Sequence, residues 1–79
     1  MVTVFRSGAF RIVIFVDDHE PAHVHVFGDG EAKIDLVGRD GFADLVWAVG
    51  MTRVDIRRAM RIVNENRDAL LSSWRDIHG

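Results

Sequence analysis

A chain of 79 residues makes one domain, and at that size only about 60% of the unfolded surface can be buried. The absence of cysteine excludes disulfide staples and all thiolate chemistry, so extra stability has to come from oligomerisation, a histidine-held metal or close packing. The net charge of -2 hides an uneven distribution: residues 17–44 hold eight acids against Lys33 and Arg39, whereas residues 45–79 hold six arginines against four acids. Nine of the ten basic residues are arginine, which suits bidentate contact with carboxylate or phosphate, although a GC-rich genome gives the same bias.

In chain order, Met1-Val2-Thr3-Val4-Phe5-Arg6 lacks the basic region and long apolar run of a signal peptide. The longest apolar stretch, Ile12 to Val16, is too short to cross a bilayer, so a soluble, cytoplasmic protein without membrane contact is expected. Phe10 to Val16 is β-branched and aromatic on both faces, the pattern of a strand buried on two sides. Asp17-Asp18-His19-Glu20-Pro21 reads as a turn-forming loop.

His23 to Phe27 alternates with period two, and so does Glu31 to Leu36 beyond Gly28-Asp29-Gly30, which predicts a β-hairpin. A three-residue loop pairs Phe27 with Glu31, Val26 with Ala32, His25 with Lys33, Val24 with Ile34 and His23 with Asp35. A two-residue turn at Asp29-Gly30 would instead set His25 against Ile34 and Val24 against Asp35. Because a slip of one residue turns every side chain over, only the first register keeps one face apolar. After Gly38-Arg39-Asp40-Gly41, residues 43–49 read as a short fourth strand or a helical turn, the strand being preferred and putting Leu45, Trp47 and Val49 on one face.

Thr52-Arg53-Val54-Asp55 has the spacing of a capping box and opens a helix expected over about residues 53–77. Ile56, Met60, Val63, Leu70, Trp74 and Ile77 recur at helical spacing, interrupted at Arg67. The expected architecture is a single α+β domain over residues 1–79: an antiparallel three- to four-stranded meander with one long C-terminal helix on one face. Such a helix overhangs so small a sheet and offers a surface to a small partner protein or to a second copy.

Two groups of residues carry candidate chemistry. His23 and His25 share a strand face at i and i+2, opposite Val24 and Val26 and therefore away from the helix. Lys33 and Asp35 are their cross-strand neighbours, and His19 sits on the approaching loop. His19, His23 and His25 form a candidate ligand set for zinc or nickel. As an acid–base site, His23 and His25 would exchange protons while Lys33 stabilises charge, as in RNA cleavage by its own 2'-hydroxyl. A strand also needs polar residues on its wet face, and histidine serves there with no further role. The second group is Arg53, Arg57 and Arg61 at i, i+4 and i+8, with Arg58 beside them, a stripe able to dock phosphates. A solvated helix face with pairs such as Arg61 and Glu65 accounts for it equally. Gly28-Asp29-Gly30 lacks the helix and lysine of a phosphate-binding loop, and no serine has the setting of a nucleophile.

Thr3-Val4-Phe5-Arg6 with Gly8, Phe10-Arg11, Asp18-His19-Glu20-Pro21-Ala22-His23-Val24-His25-Val26 and Glu31-Ala32-Lys33 together resemble the small bacterial family catalogued as domain of unknown function 4160. Asp55-Ile56-Arg57-Arg58-Ala59-Met60 and Val63-Asn64-Glu65-Asn66-Arg67 extend the resemblance over nearly the whole chain. Ala22 departs from it, since many members carry a second proline there. The resemblance implies a bacterial cytoplasmic protein organised like members of toxin–antitoxin-type modules, with His19, His23, His25 and Lys33 as the residues of interest. Joined to the open-face histidines and the arginine stripe, it leads to the expectation of a partner-bound domain that binds or cleaves RNA.

Overall fold

The computed structural model describes residues Met1–Gly79. Five strands, β1 (Val2–Ser7), β2 (Phe10–Ile14), β3 (His23–Phe27), β4 (Glu31–Asp35) and β5 (Asp44–Val49), precede two helices, α1 (Arg53–Glu65) and α2 (Arg67–His78). The strands form one antiparallel sheet in the order β1-β2-β3-β4-β5, each pairing with its neighbour in sequence. The architecture is therefore α+β and a meander, with five strands and two helices in place of the expected three or four strands and one helix.

The strand absent from the expectation is β1. Val2-Thr3-Val4-Phe5 is a β-branched and aromatic run of the kind strands favour, but as an edge strand it is mostly exposed and carries little apolar alternation. It turns into β2 through Gly8-Ala9, with Ser7 opposite Phe10 and Gly8 at a φ of +56°, as two-residue hairpin loops demand of their first central residue. β2 ends at Ile14, two residues earlier than expected, because the N–H of Asp18 donates to the Phe15 carbonyl (3.1 Å) and closes a turn.

β3 and β4 adopt the three-residue loop, pairing Phe27 with Glu31 through to His23 with Asp35. That register sends Val24, Val26, Ala32 and Ile34 into the core with Ile12 and Ile14. Both helices cover this face. α1 contributes Ala59 and Val63, and α2 contributes Leu70 and Trp74, each pair one helical turn apart.

The single long helix divides at Asn66, whose φ of -112° and ψ of 15° leave helical geometry. Its side-chain amide donates to the Ile62 carbonyl (2.8 Å), competing with the backbone ladder as asparagine does. The interruption of the apolar pattern at Arg67 has a tertiary cause: Arg67 donates to the Gly41 carbonyl, and Asn64 Oδ1 accepts from the Ala43 N–H (2.8 Å). The helix junction thus ties down the β4–β5 loop. At the other end, Thr52 Oγ1 accepts from the Asp55 N–H (3.1 Å), the N-cap expected from the spacing.

Gly30 lies where the hairpin loop meets the end of β5. A β-carbon there would run into the backbone of Val49 and Gly50, whereas at Gly8 it would meet nothing within 4 Å. Gly30→Ala is therefore expected to destabilise the fold by more than Gly8→Ala, whose cost of about 1–2 kcal/mol comes from its positive φ alone. Urea denaturation of the two variants checks the order.

Candidate metal centre

The cluster forms where the loop after β2 folds back on the start of β3. The turn from Phe15 to Asp18 directs the Asp18 carboxylate inward and leaves His19 exposed. The far end of the loop is fixed by the Leu36 N–H, which donates to the Ala22 carbonyl (2.9 Å). Its middle is held by α2, since Trp74 Nε1 donates to Glu20 Oε1 (3.2 Å). Between these tethers the Glu20–Pro21 peptide bond is cis, and the Pro21 carbonyl accepts from His23 Nδ1 (2.8 Å).

Asp18 Oδ2 lies 3.0 Å from His23 Nε2 and 3.6 Å from His25 Nε2. One donor atom from each of Asp18, His23 and His25 falls within 4.8 Å of the others. His23 is 4% exposed, and the side chains of His25 and Asp18 are 12% and 23% exposed. The rings are walled by aromatics: Phe15 stands edge-on to His25 (4.7 Å), the two histidines meet at 5.4 Å, and Trp47 lies 6.0 Å from His25.

Proton bookkeeping gives this geometry its meaning. A carbonyl oxygen only accepts, so His23 Nδ1 carries the hydrogen directed at Pro21. His25 Nδ1 likewise faces Glu31 Oε2 (3.0 Å), an ionised carboxylate that only accepts. Each neutral ring therefore presents a bare Nε2 lone pair to the same carboxylate oxygen. Asp18 Oδ2 is buried and, with both rings in that tautomer, has no hydrogen-bond donor. Three electron-rich atoms facing one another repel unless a positive charge lies among them, either a proton on each ring or a metal ion. Acceptors on both Nδ1 atoms are the outer-shell pattern that fixes metal-binding imidazoles by their Nε2.

The expected residues are distributed unevenly around this centre. His23 and His25 meet, but Asp18 occupies the position foreseen for His19. The cluster is closed rather than open: His25 projects from the face away from the helices, yet His23 is buried with its ring 5.1 Å from Trp74 of α2. Lys33 is opposite His25 on β4 and half-buried, and Asp35, opposite His23, has a buried Oδ1 without a partner. Arg53, Arg57, Arg58 and Arg61 are exposed on α1, across the sheet from His25. Asp18, Glu31 and Trp74 were not legible as site residues. The hairpin register contained the one available signal for Glu31, which lies diagonally across from His25 within reach of a long side chain.

The sequence profile of the family described as Domain of unknown function (DUF4160) matches residues 9–75. The chain belongs to that family. The DUF4160 match takes in the loop, the hairpin and most of both helices, with Asp18, His23, His25 and Glu31 inside it and β1 outside. Comparison with curated proteins and with solved structures finds no match. No helix of the chain is long and apolar enough to cross a membrane.

Trp74→Phe keeps an aromatic ring beside His23 while removing the N–H that Glu20 accepts. A loss of about 1 kcal/mol is expected in urea denaturation. His19→Ala, at an exposed position outside the cluster, is expected to stay within about 0.5 kcal/mol of the parent.

Proposed function

We propose that this domain binds a divalent transition-metal ion through His23 Nε2, His25 Nε2 and Asp18 carboxylate oxygen, with Glu31 and the Pro21 carbonyl orienting the two imidazoles. The observation that supports it is the convergence of His23 Nε2 and His25 Nε2 on one buried carboxylate oxygen, with Nδ1 of each ring already turned to an acceptor. Ligands about 2.0–2.1 Å from a tetrahedral ion stand roughly 3.3–3.4 Å apart, close to the 3.0 and 3.6 Å separations here. Two imidazoles and one carboxylate suit zinc, nickel or iron(II). Three protein donors leave coordination positions for water or a small ligand, an arrangement compatible with Lewis-acid chemistry as well as with plain binding.

Zinc, nickel and cobalt(II) titrations followed by calorimetry and thermal melting test this reading. An ion at a hundred times its dissociation constant adds about 2.7 kcal/mol, which for a domain of this size raises the melting temperature by roughly 10–20 °C. Asp18→Ala, His23→Ala and His25→Ala should each abolish the shift. Glu31→Gln should weaken binding by about 10- to 100-fold, and His19→Ala should leave it unchanged. No shift with any of the three ions sinks the proposal.

A second reading, an RNA-binding or RNA-cleaving member of a cytoplasmic bacterial toxin–antitoxin-type module with a small protein partner, draws on other observations. Arg53, Arg57, Arg58 and Arg61 are exposed and make no ion pair, and Lys33 stands opposite His25. It ranks below the first because His23 is buried from a polymer substrate and the arginines lie across the sheet from His25. Growth arrest on expression, lost on His25→Ala and on Lys33→Ala, would favour it. Normal growth together with no RNA retained or cut would remove it.

A further inference from the structure

We infer that the free edge of β5 is a dimer interface whose occupant is a second copy of this chain, paired antiparallel so that two five-stranded sheets become one. β5 ends the strand order and pairs only with β4, so its outer backbone N–H and C=O groups have no partner in the sheet. Of the ten large apolar side chains that are exposed, six lie between residues 37 and 49: Val37, Phe42, Leu45, Val46, Trp47 and Val49. Scattered apolar residues are ordinary on a monomer, but Leu45, Val46, Trp47 and Val49 lie along the unpaired strand itself, which marks an interaction surface.

The strand is complementary to itself in one register. A bulge between Lys33 and Ile34 of β4 leaves Val46 without an opposite residue and changes the alternation along β5. Ala48 opposite Ala32 and Leu45 opposite Ile34 therefore share the helix side. Val49, Trp47 and Asp44, opposite Glu31, Lys33 and Asp35, share the other. An antiparallel copy set with Asp44 opposite Val49 and Leu45 opposite Ala48 keeps each of these pairs on a common face, with the bulge at Val46 set against Trp47 of the other copy. A slip of one residue breaks that match at Leu45 and Ala48.

The same register is electrostatically favourable. β5 begins beside Asp40 and Asp44, which outnumber Arg39 there, and it leads through Gly50-Met51-Thr52 into Arg53 and Arg57 of α1. Two-fold pairing brings the acidic end of one copy alongside the basic end of the other at both ends of the interface. A self-complementary edge with opposite charges at its two ends selects a second copy over an arbitrary strand. It also supplies the association that a cysteine-free chain of 79 residues needs beyond its own core.

Sedimentation velocity and light scattering over a dilution series decide the matter. The wild-type chain should show twice its monomer mass of 8.9 kDa. Val46→Lys, which sets a charge against the partner strand, should raise the dissociation constant by roughly tenfold or more. Arg53→Glu should do so to a smaller extent, and Asp44→Lys added to Arg53→Glu should restore dimerisation. Circular dichroism establishes that each variant is folded, and if Val46→Lys is not, the charge reversal at the exposed Arg53 carries the test. A wild-type chain that stays at 8.9 kDa throughout overturns the inference, as does a dimer indifferent to these substitutions.

Discussion

Five cross-strand pairs, from Phe27 opposite Glu31 to His23 opposite Asp35, decide what every other element meets. In that register β3 and β4 offer Val24, Val26, Ala32 and Ile34 to the helices and His23, His25, Glu31 and Lys33 to the other side. A shift of one residue would bury charged and imidazole groups beneath α1 and leave the valines in water, at a cost far beyond the stability of so small a domain. Gly28-Asp29-Gly30 sets the offset, and Gly30 lets the loop lie against the backbone of Val49 and Gly50. Core, cluster and outer edge are thus consequences of one pairing.

The cluster concentrates an electrostatic conflict on one carboxylate oxygen and two imidazoles. Other buried positions are apolar, and the arginines stay in solvent. Around His23 and His25 two acceptors hold the Nδ1 hydrogens and a third acceptor faces both Nε2 atoms. With both rings neutral, an imidazole pair kept only for stability would gain more from a hydroxyl or amide donor than from a carboxylate between two lone pairs. The surrounding structure maintains the arrangement by tethering the loop to Trp74 and to Leu36.

How much of this was readable from residues alone follows from where each interaction is local. The β3–β4 register was legible in full, because alternation and a glycine loop act over neighbouring residues. So was the Thr52 cap. β1 was not, because an exposed edge strand buries too little to leave a strong pattern. The break at Asn66 escaped because its cause lies in the contacts of Asn64 and Arg67 with a loop more than twenty residues away. In the cluster, His23 and His25 announced themselves by spacing. Asp18 and His19 are adjacent in the chain, and only the turn closed on Phe15 determines which of them points inward.

The sheet is joined throughout between strands adjacent in sequence, and this bears on how local the site is. Every strand pair closes a short loop, so the entropy of closure is low and the meander zips rapidly from neighbour to neighbour. Asp18, His23, His25 and Glu31 all lie within fourteen consecutive residues. One hairpin and the turn before it thus supply Asp18, His23, His25 and Glu31 without any residue from the helices. Trp74 of α2, from the far end of the chain, closes over that local constellation through His23 and Glu20.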